Sequence, residues 1–451
     1  MFRGLSSFVQ VIVTLNEFGL PQTPLLTHCE RMLSMDYIKS DRDDVERAIR
    51  DKGIGVDLEA LLALEAAVRG AKTAIEGLRA SRNAISARFK DASPEERGAL
   101  GAEAKAAGAQ ASALEGRLAE QEAALKGMML KLPGIPWEGA PVGPNEDSNV
   151  VIRTEGKRPR FDFDPVDHVA LIERNDWAEL SRIVKVSGSR TYCLKGRLAL
   201  LETKLMAWAL EQVMADGFVP ITVPAIASYA AFEGTGHFPG HEAEAYHIAE
   251  DALYLAGTGE IALTSLHSGE ILEVGKLPML YAGLSPCFRR EAGSAGRDVR
   301  GLLRVHQFLK VEAYVICEND EALSAEWHAR LLGIAERLLT LLEIPYQVIE
   351  TATGDMGLGK YRMNDIESWV PSLEKYRETH SCSTLHEWQA RRANLRYRDA
   401  EGKVRFVHTL NNTALASPRI LVPLLENHQT ADGRVRWPEA IRPLMDGDEF
   451  L

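Results

Sequence analysis

Two runs of heptad-spaced apolar residues, separated by a single proline-bearing break, constrain this chain more than any other feature. From Leu61 the apolar or small positions fall at Leu61, Leu64, Val68, Ala71, Ile75, Leu78, Ile85 and Phe89, interrupted only by Arg82. That 3-4 spacing is a coiled-coil seam. The seam stops at Asp91-Ala92-Ser93-Pro94-Glu95, where proline can open a helix but cannot continue one. It resumes through Ala104, Ala107, Ala111, Leu114, Leu118, Gln121, Leu125, Met128 and Leu132. The pattern predicts an antiparallel helical hairpin with arms of roughly 50 Å, at 1.5 Å per residue.

The 451 residues leave room for a large second unit behind this hairpin. Pro133-Gly134-Ile135-Pro136 opens a Gly/Pro-containing stretch to Asn149, and beyond it short β-type runs alternate irregularly with helices such as Leu200 to Ala215 and Glu321 to Leu342. Such interspersion favours an α+β domain around a largely antiparallel sheet. The expected layout is a 1–34 extension that is loose or a misassigned start, a 35–136 arm domain, a 137–149 linker and a 150–451 catalytic domain.

Charge and cysteine usage narrow the function. A net charge of −12 repels nucleic acid, so a polyanion needs a local basic surface. The outgoing helix, 58–90, supplies one, with Arg69, Lys72, Arg79, Arg82, Arg88 and Lys90 against Glu59, Glu65 and Glu76. A solvated face or a dimerisation arm is the competing reading. The five cysteines are scattered, with no Cys/His metal spacing, so neither a disulfide framework nor a zinc site is expected. A reducing cytoplasm suits them. No apolar run reaches the ~20 residues of a membrane helix.

Several segments carry candidate chemistry. Gly354 to Lys360 imitates a phosphate-binding loop, but Tyr361 stands where a small hydroxyl must reach magnesium, so a turn between strands is expected instead. Ser285 to Val315 reads as a hairpin with a mobile basic tip. On its returning strand His306, Phe308, Lys310 and Glu312 share one face, opposite Leu309, Val311, Ala313 and Val315. Phe308 and Glu312 stand about 13 Å apart, suited to the two ends of an elongated ligand. Arg289 and Glu291 share a face of the outgoing strand. Arginine for phosphate, an aromatic for a base and carboxylates for amine or hydroxyl form a coherent set, with a solvated sheet face as the alternative. Thr258-Gly259-Glu260, if extended, points Thr258 and Glu260 the same way. Glu378-Thr379-His380-Ser381 offers a carboxylate and a hydroxyl as hard magnesium ligands, against a surface-loop alternative. Ser417-Pro418-Arg419 reads as a helix start with a hydroxyl cap. Pro423, within that helix, has no explanation at this level.

These segments together resemble the bacterial seryl-tRNA synthetase family, of class II. The resemblance runs from Met35 to about Met445 and rests on Thr258-Gly259-Glu260, Phe288 to Gly293, Arg300 to Phe308, Gly354 to Gly357, Leu410 to Ala416 and Leu425 to Gln429, in order and spacing, with the hairpin completing it. It implies ATP and Mg2+ as cofactors, serine and tRNA(Ser) as substrates, tRNA(Sec) where the organism has one, and a homodimer. The family's pattern assigns Arg289 to the α-phosphate, with Arg290 beside it. Glu291 falls to the adenine amino group, the main chain near Val305 to the base edge, and Phe308 to the base face. Arg419 falls to the γ-phosphate, Glu378 and Ser381 to magnesium, and Thr379 and His380 to the nucleotide site. Thr258, Gly259 and Glu260 fall to the serine ammonium, and Glu312 and Thr413 to its hydroxyl. Arg69, Lys72, Arg79 and Arg82 would meet the tRNA variable arm. Leu200 to Ala215 and Gly217 to Pro224 would build the dimer interface. Gly259 departs from an alanine common in the family. A paralogue serving a carrier protein or antibiotic pathway, and a nonenzymatic tRNA binder, are the alternatives.

Overall fold

The computed structural model describes residues 34–292 and 301–451. The N-terminal extension expected at 1–34 therefore lies outside the described residues except for Ser34, and so does the hairpin tip at 293–300.

Helices α1 (Met35–Ser40) and α2 (Arg42–Asp51) precede the arm helices α3 (Leu58–Arg88) and α4 (Pro94–Met129). At 1.5 Å per residue, 31 and 36 residues give arms of about 46 and 54 Å. Asp57 caps α3 by accepting from the Ala60 amide, and Ser93 with Glu96 closes a capping box at the start of α4. The expected seam is the contact: Leu61, Val68, Ile75 and Ile85 are buried against α4, where Leu100 and Ala111 are the buried partners. Phe89, at the far end of the seam, is exposed. At the near end Tyr37, Ile38, Val45, Ala48, Leu58, Leu61, Leu132 and Ile135 form a small core of their own.

The stretch read as a linker is pinned rather than free. Trp137 donates its indole N–H to Glu350 at 3.0 Å, and the Thr353 amide donates to the Pro141 carbonyl at 2.9 Å.

The main sheet has eight strands: β1 (Val150–Glu155), β2 (Val219–Ile221), β3 (Met279–Phe288), β4 (Gln307–Cys317), β5 (Tyr346–Glu350), β6 (Arg362–Val370), β7 (Lys375–His386) and β8 (His408–Ser417). Their spatial order is β1-β5-β6-β7-β8-β4-β3-β2, antiparallel except where β2 runs parallel to β3. Helices α5 (Gly196–Met214) and α7 (Glu321–Leu341) cover one face. Leu201, Leu205, Leu331, Ala335 and Leu338 pack there with Val311, Ala313, Val348, Ile366, Leu410 and Ala414. Period-two alternation then sends the even residues of β4 to the opposite face, which holds the site. The short helix α6 (Glu260–Ser265), which falls between the two covering helices in the chain, approaches that opposite face.

Two expectations are corrected here. Thr258-Gly259-Glu260 is not extended: Gly259 precedes α6 and the Thr258 hydroxyl accepts from the Glu260 amide at 3.2 Å. Ser417 caps no helix; it ends β8, and its hydroxyl donates to Glu202 at 2.6 Å. Turns closed by Leu421 N–H to the Pro418 carbonyl and Val422 N–H to the Arg419 carbonyl intervene, so α8 spans only Leu421–Asn427. Pro423 is thereby explained. It sits among the first four positions of α8, whose N–H groups have no intrahelical partner to lose. Gly354 to Lys360 is the expected turn between β5 and β6.

Candidate active site

Register across β3, β4 and β8 builds the site floor. Phe308 lies opposite Cys287, Lys310 opposite Ser285 and Ala416, and Glu312 opposite Gly283 and Thr413. Directly opposed residues share a face, so three functional side chains of β4 rise between small ones. Two cavities meet above them at Arg289 and Glu291. The larger, about 440 Å3, is lined by Thr258, Glu260, His237, Lys360 and Trp388 among others, and the smaller by Val305, Phe308, Lys310, Glu378, Thr413 and Arg419.

On the smaller side the Arg289 guanidinium lies 5.2 Å from the centre of the Phe308 ring. Glu291 adopts a left-handed backbone (φ 56°), a conformation costly for a residue with a Cβ, and Arg304 donates to its carboxylate at 2.5 Å. Arg419 donates to the carbonyls of Leu303 (3.1 Å) and Glu378 (3.2 Å) and stands 3.6 Å from the Glu378 carboxylate. Burial draws this guanidinium below its ordinary value, with Glu378 opposing.

Glu378 and Ser381 are three apart, which in a regular strand means opposite faces. A bulge at Thr379 changes this: Ser381 pairs with Asp365 and Glu378 with Glu367, so both join one face. Asp365 is buried beside them with Oδ1 lacking a hydrogen-bond partner. Burial first, then the charge of Glu378, hold its carboxyl well above the usual range, while a bond from Ser381 opposes them.

Of the other expected nucleotide residues, Thr379 borders the smaller cavity, whereas Arg290 and His380 line neither. Arg290 donates to the Ala243 carbonyl at 3.3 Å. The Thr379 hydroxyl is turned to Ser368 (2.8 Å) and the Ile366 carbonyl. His380 is buried, bonded to Thr379 at 2.8 Å, and pushed by burial down to about 3.

On the larger side Glu260 is buried and accepts from Gln389 at 2.6 Å. Burial acts to raise its carboxyl, but Lys360, His237 and the Gln389 bond outweigh it and hold the group below its ordinary value. Glu312 is fully buried. Thr258 donates to it at 3.2 Å, Asn411 at 3.1 Å, and Lys310 pairs with the oxygen that takes Thr258. A Cβ on Gly259 would come within 3.2 Å of the Ser285 hydroxyl and at an ordinary 3.6 Å from the Glu312 Cβ, so the departure from alanine relieves a tight approach to Ser285. Sequence reasoning missed Lys310, Lys360, Asn411 and Gln389 as members of the site. Only Lys310 carried a signal, its shared parity with Phe308 and Glu312.

The basic strip is less free than expected. Lys72 pairs with Glu122 and Arg79 with Glu115 across the arm, at 2.7 and 2.8 Å. Arg69 and Arg82 are exposed, with no ion pair among the described residues.

Comparison with known proteins bears on the fold and the family. Residues 245–428 match the tRNA synthetase class II core domain (G, H, P, S and T), and residues 32–136 match the seryl-tRNA synthetase N-terminal domain. The core match and the sheet define the class, that of the class II aminoacyl-tRNA synthetases. A serine–tRNA ligase of Deinococcus radiodurans is 51% identical over 420 residues, 93% of this chain and 99% of that protein. Among solved structures, seryl-tRNA synthetase from Pyrococcus horikoshii complexed with ATP aligns with a TM-score of 0.85 at 35% identity. Cytoplasmic serine–tRNA ligase from Naegleria fowleri in complex with AMP aligns with a TM-score of 0.80 at 25% identity. Each alignment covers 93% of this chain and 99% of the other. This chain belongs to the seryl-tRNA synthetase family.

Proposed function

We propose that this chain activates L-serine with ATP and transfers it to tRNA(Ser), with the residue roles that follow. The serine carboxylate attacks the α-phosphorus of ATP. A carboxylate oxygen–phosphorus bond forms as the bond to the pyrophosphate oxygen breaks, giving seryl-adenylate and pyrophosphate. A terminal ribose hydroxyl of the tRNA then takes the acyl group and AMP leaves. No protein nucleophile is required; fixed charge and positioning do the work.

Arg289 holds the α-phosphate and Arg419 the γ-phosphate. Phe308 stacks on adenine, the main chain at Val305 meets its edge, and Glu291 takes the amino group when Arg304 yields. Thr258 and Glu260 receive the serine ammonium, with Gly259 leaving the space, while Glu312 and Thr413 read the hydroxyl. Mg2+ fits the oxygen donors Glu378 and Ser381, since magnesium beside a nucleotide needs only one or two protein ligands. Bound with ATP, it would neutralise phosphate charge. The arm 35–136 receives the tRNA, and tRNA(Sec) where present, in the cytoplasm. A homodimer forms through α5 and β2, where Leu200, Met214 and Val219 are exposed.

The observation that carries this reading is one sheet face on which the Arg289–Phe308 contact and the Thr258–Glu312 bond stand side by side. A site that bonds a hydroxyl rejects an analogue lacking it by about 10⁴–10⁵-fold, which excludes alanine. The test is ATP–pyrophosphate exchange across the twenty amino acids, followed by tRNA charging. Exchange is expected with serine and at most weakly with threonine; no exchange with serine would refute the proposal. The arm, and the match of 32–136 to the seryl-tRNA synthetase N-terminal domain, disfavour a paralogue serving a carrier protein.

A further inference from the structure

Lys52 caps the C-terminus of α2, in the arm domain, yet its ammonium is buried against a loop more than 300 residues later in the chain. It donates to the carbonyls of Gly357 (3.3 Å), Leu358 (3.0 Å) and Lys360 (2.7 Å), so its three protons meet three acceptors. No carboxylate pairs with it among the described residues. A buried cation is costly: burial, and then repulsion from Lys360, draw this ammonium down to about 7, so the three carbonyls hold it charged at pH 6.5 but not at pH 8.5.

The gripped loop has little freedom of its own. The Gly134 amide, from the arm base, donates to the Leu358 carbonyl at 2.9 Å, and Thr353 donates its hydroxyl to the Asp51 carbonyl at 2.6 Å. A Cβ on Gly359 would lie 2.2 Å from the Trp388 ring, and one on Gly134 would lie 2.6 Å from the Gly359 carbonyl. The loop is thus clasped between arm base and catalytic domain. Its last residue sends a side chain into the larger cavity, where the Lys360 ammonium stands 3.9 Å from Glu260 and 3.4 Å from the Asn411 side-chain oxygen.

We infer that Lys52 is a positioning residue for serine binding: from the arm base it grips the 357–360 loop and so presents Lys360 to Glu260, the carboxylate that receives the substrate's ammonium. The inference rests on that assignment of Glu260. Its physical content is that a buried carboxylate stays charged in the empty pocket only if a cation is held beside it. The groups facing Glu260 are Lys360, His237, Lys310 and the Gln389 amide. Burial pushes His237 down to about 4, which leaves it neutral near pH 7, and Lys310 is committed to Glu312. Lys360 is therefore the cation that matters, and Lys52 fixes its backbone.

The test uses the full chain in ATP–pyrophosphate exchange, with thermal unfolding followed in parallel. Lys52→Met and Lys360→Met are each expected to raise the serine KM about tenfold at pH 6.5 while the ATP KM moves less than twofold. Without the Lys360 charge, burial pushes the Glu260 carboxyl up, so the Lys360→Met defect should be greater at pH 6.5 than at pH 8.5. Because the two residues act in series, the double variant should be no worse than the more severe single one. Lys52→Gln, which retains two donors, should fall between wild type and Lys52→Met, and serves if the Met variant does not fold. An unchanged serine KM in a folded Lys52 variant, an equal rise in the ATP KM, or multiplicative defects in the double variant would each overturn the inference. Glu260→Gln separates the two layers. If it leaves the serine KM unchanged, the ammonium assignment fails; if it raises that KM while the Lys52 variants do not, the assignment stands and the relay alone is wrong.

Discussion

The arm and the sheet face both depend on charge, and they hold it in opposite ways. On the arm, Lys72–Glu122 and Arg79–Glu115 are solvent-exposed pairs joining two helices. Each is worth about 0–1 kcal/mol and is readily exchanged for an RNA phosphate. On the sheet, Glu312 and Glu260 are nearly or fully buried, and their partners Lys310, Thr258, Asn411 and Gln389 are fixed by strand register and a short helix. Surface charge gives a region that can let go; buried charge gives one organised before its ligand arrives. The first suits gripping an RNA, and the second suits holding a small ligand in one geometry.

The largest effects should come from the sheet. Arg289→Ala and Arg419→Ala are each expected to cut serine-dependent pyrophosphate exchange by about 10²–10³-fold, as removal of one preorganised donor does. Filter binding of tRNA should change little. Equal losses of exchange and of tRNA binding would erase the contrast between the two regions.

The converse experiment shortens the arm. Removing residues 73–121, just beyond the Lys72–Glu122 pair, and closing the gap with a short Gly/Ser turn should leave pyrophosphate exchange within about twofold and reduce charging more than about 100-fold. The cut cannot reach 58–132, because Leu58, Leu61 and Leu132 belong to the core at the arm base, and the Leu132 carbonyl accepts from Trp388 at 3.2 Å. Comparable charging by the shortened protein would show that the arm does not select the RNA.

Acid should unfold the two regions separately. Burial pushes His237 and His328 down to about 4 and His380 and His386 to about 3, and all four lie in the catalytic domain. The unfolded chain binds their protons from about pH 6.5, the folded chain only near 4 or 3. Stability is therefore lost as pH falls through that window, by about 1.4 kcal/mol per pH unit per group. Residues 58–132 contain no histidine. Near-UV and far-UV circular dichroism between pH 7 and 4.5 should show the domain melting earlier as pH falls while arm helicity persists; a single coincident loss would contradict this.

The smallest expected effect lies within the arm. Arg69→Ala with Arg82→Ala should weaken tRNA binding about uniformly and reduce the salt slope by about one for each phosphate left unneutralised. Lys72→Ala with Arg79→Ala should do less, since each of those cations already has a carboxylate. Gel shifts at 50 and 200 mM salt compare the pairs, and the reverse ranking would show that the cross-arm pairs open on binding.

How much the sequence disclosed follows the same division. Heptad spacing and a Ser-Pro break read out the arm directly, because helical periodicity and capping are local. Its ion pairs were hidden, since pairing Lys72 with Glu122 depends on the register of a hairpin closed 20 residues away. The sheet face was half legible. Parity placed Phe308 and Glu312 together, but parity alone would have separated Glu378 from Ser381, and only the bulge at Thr379 unites them. Thr258 and Glu260 were found without their geometry, because the turn into α6 is set by packing on β3 and β4. Lys52 and Lys360 could not be associated at all: their contact spans more than 300 residues and runs through main-chain carbonyls that carry no sequence signature.

The most direct test of the account is a crystal structure with a nonhydrolysable seryl-adenylate mimic. The adenine should lie on Phe308 with the phosphate-equivalent group at Arg289. The seryl ammonium should sit within hydrogen-bonding distance of Thr258 and Glu260, and its hydroxyl at Glu312 and Thr413. A mimic bound away from this sheet face, or reversed along β4 with its base at Glu312, would contradict it.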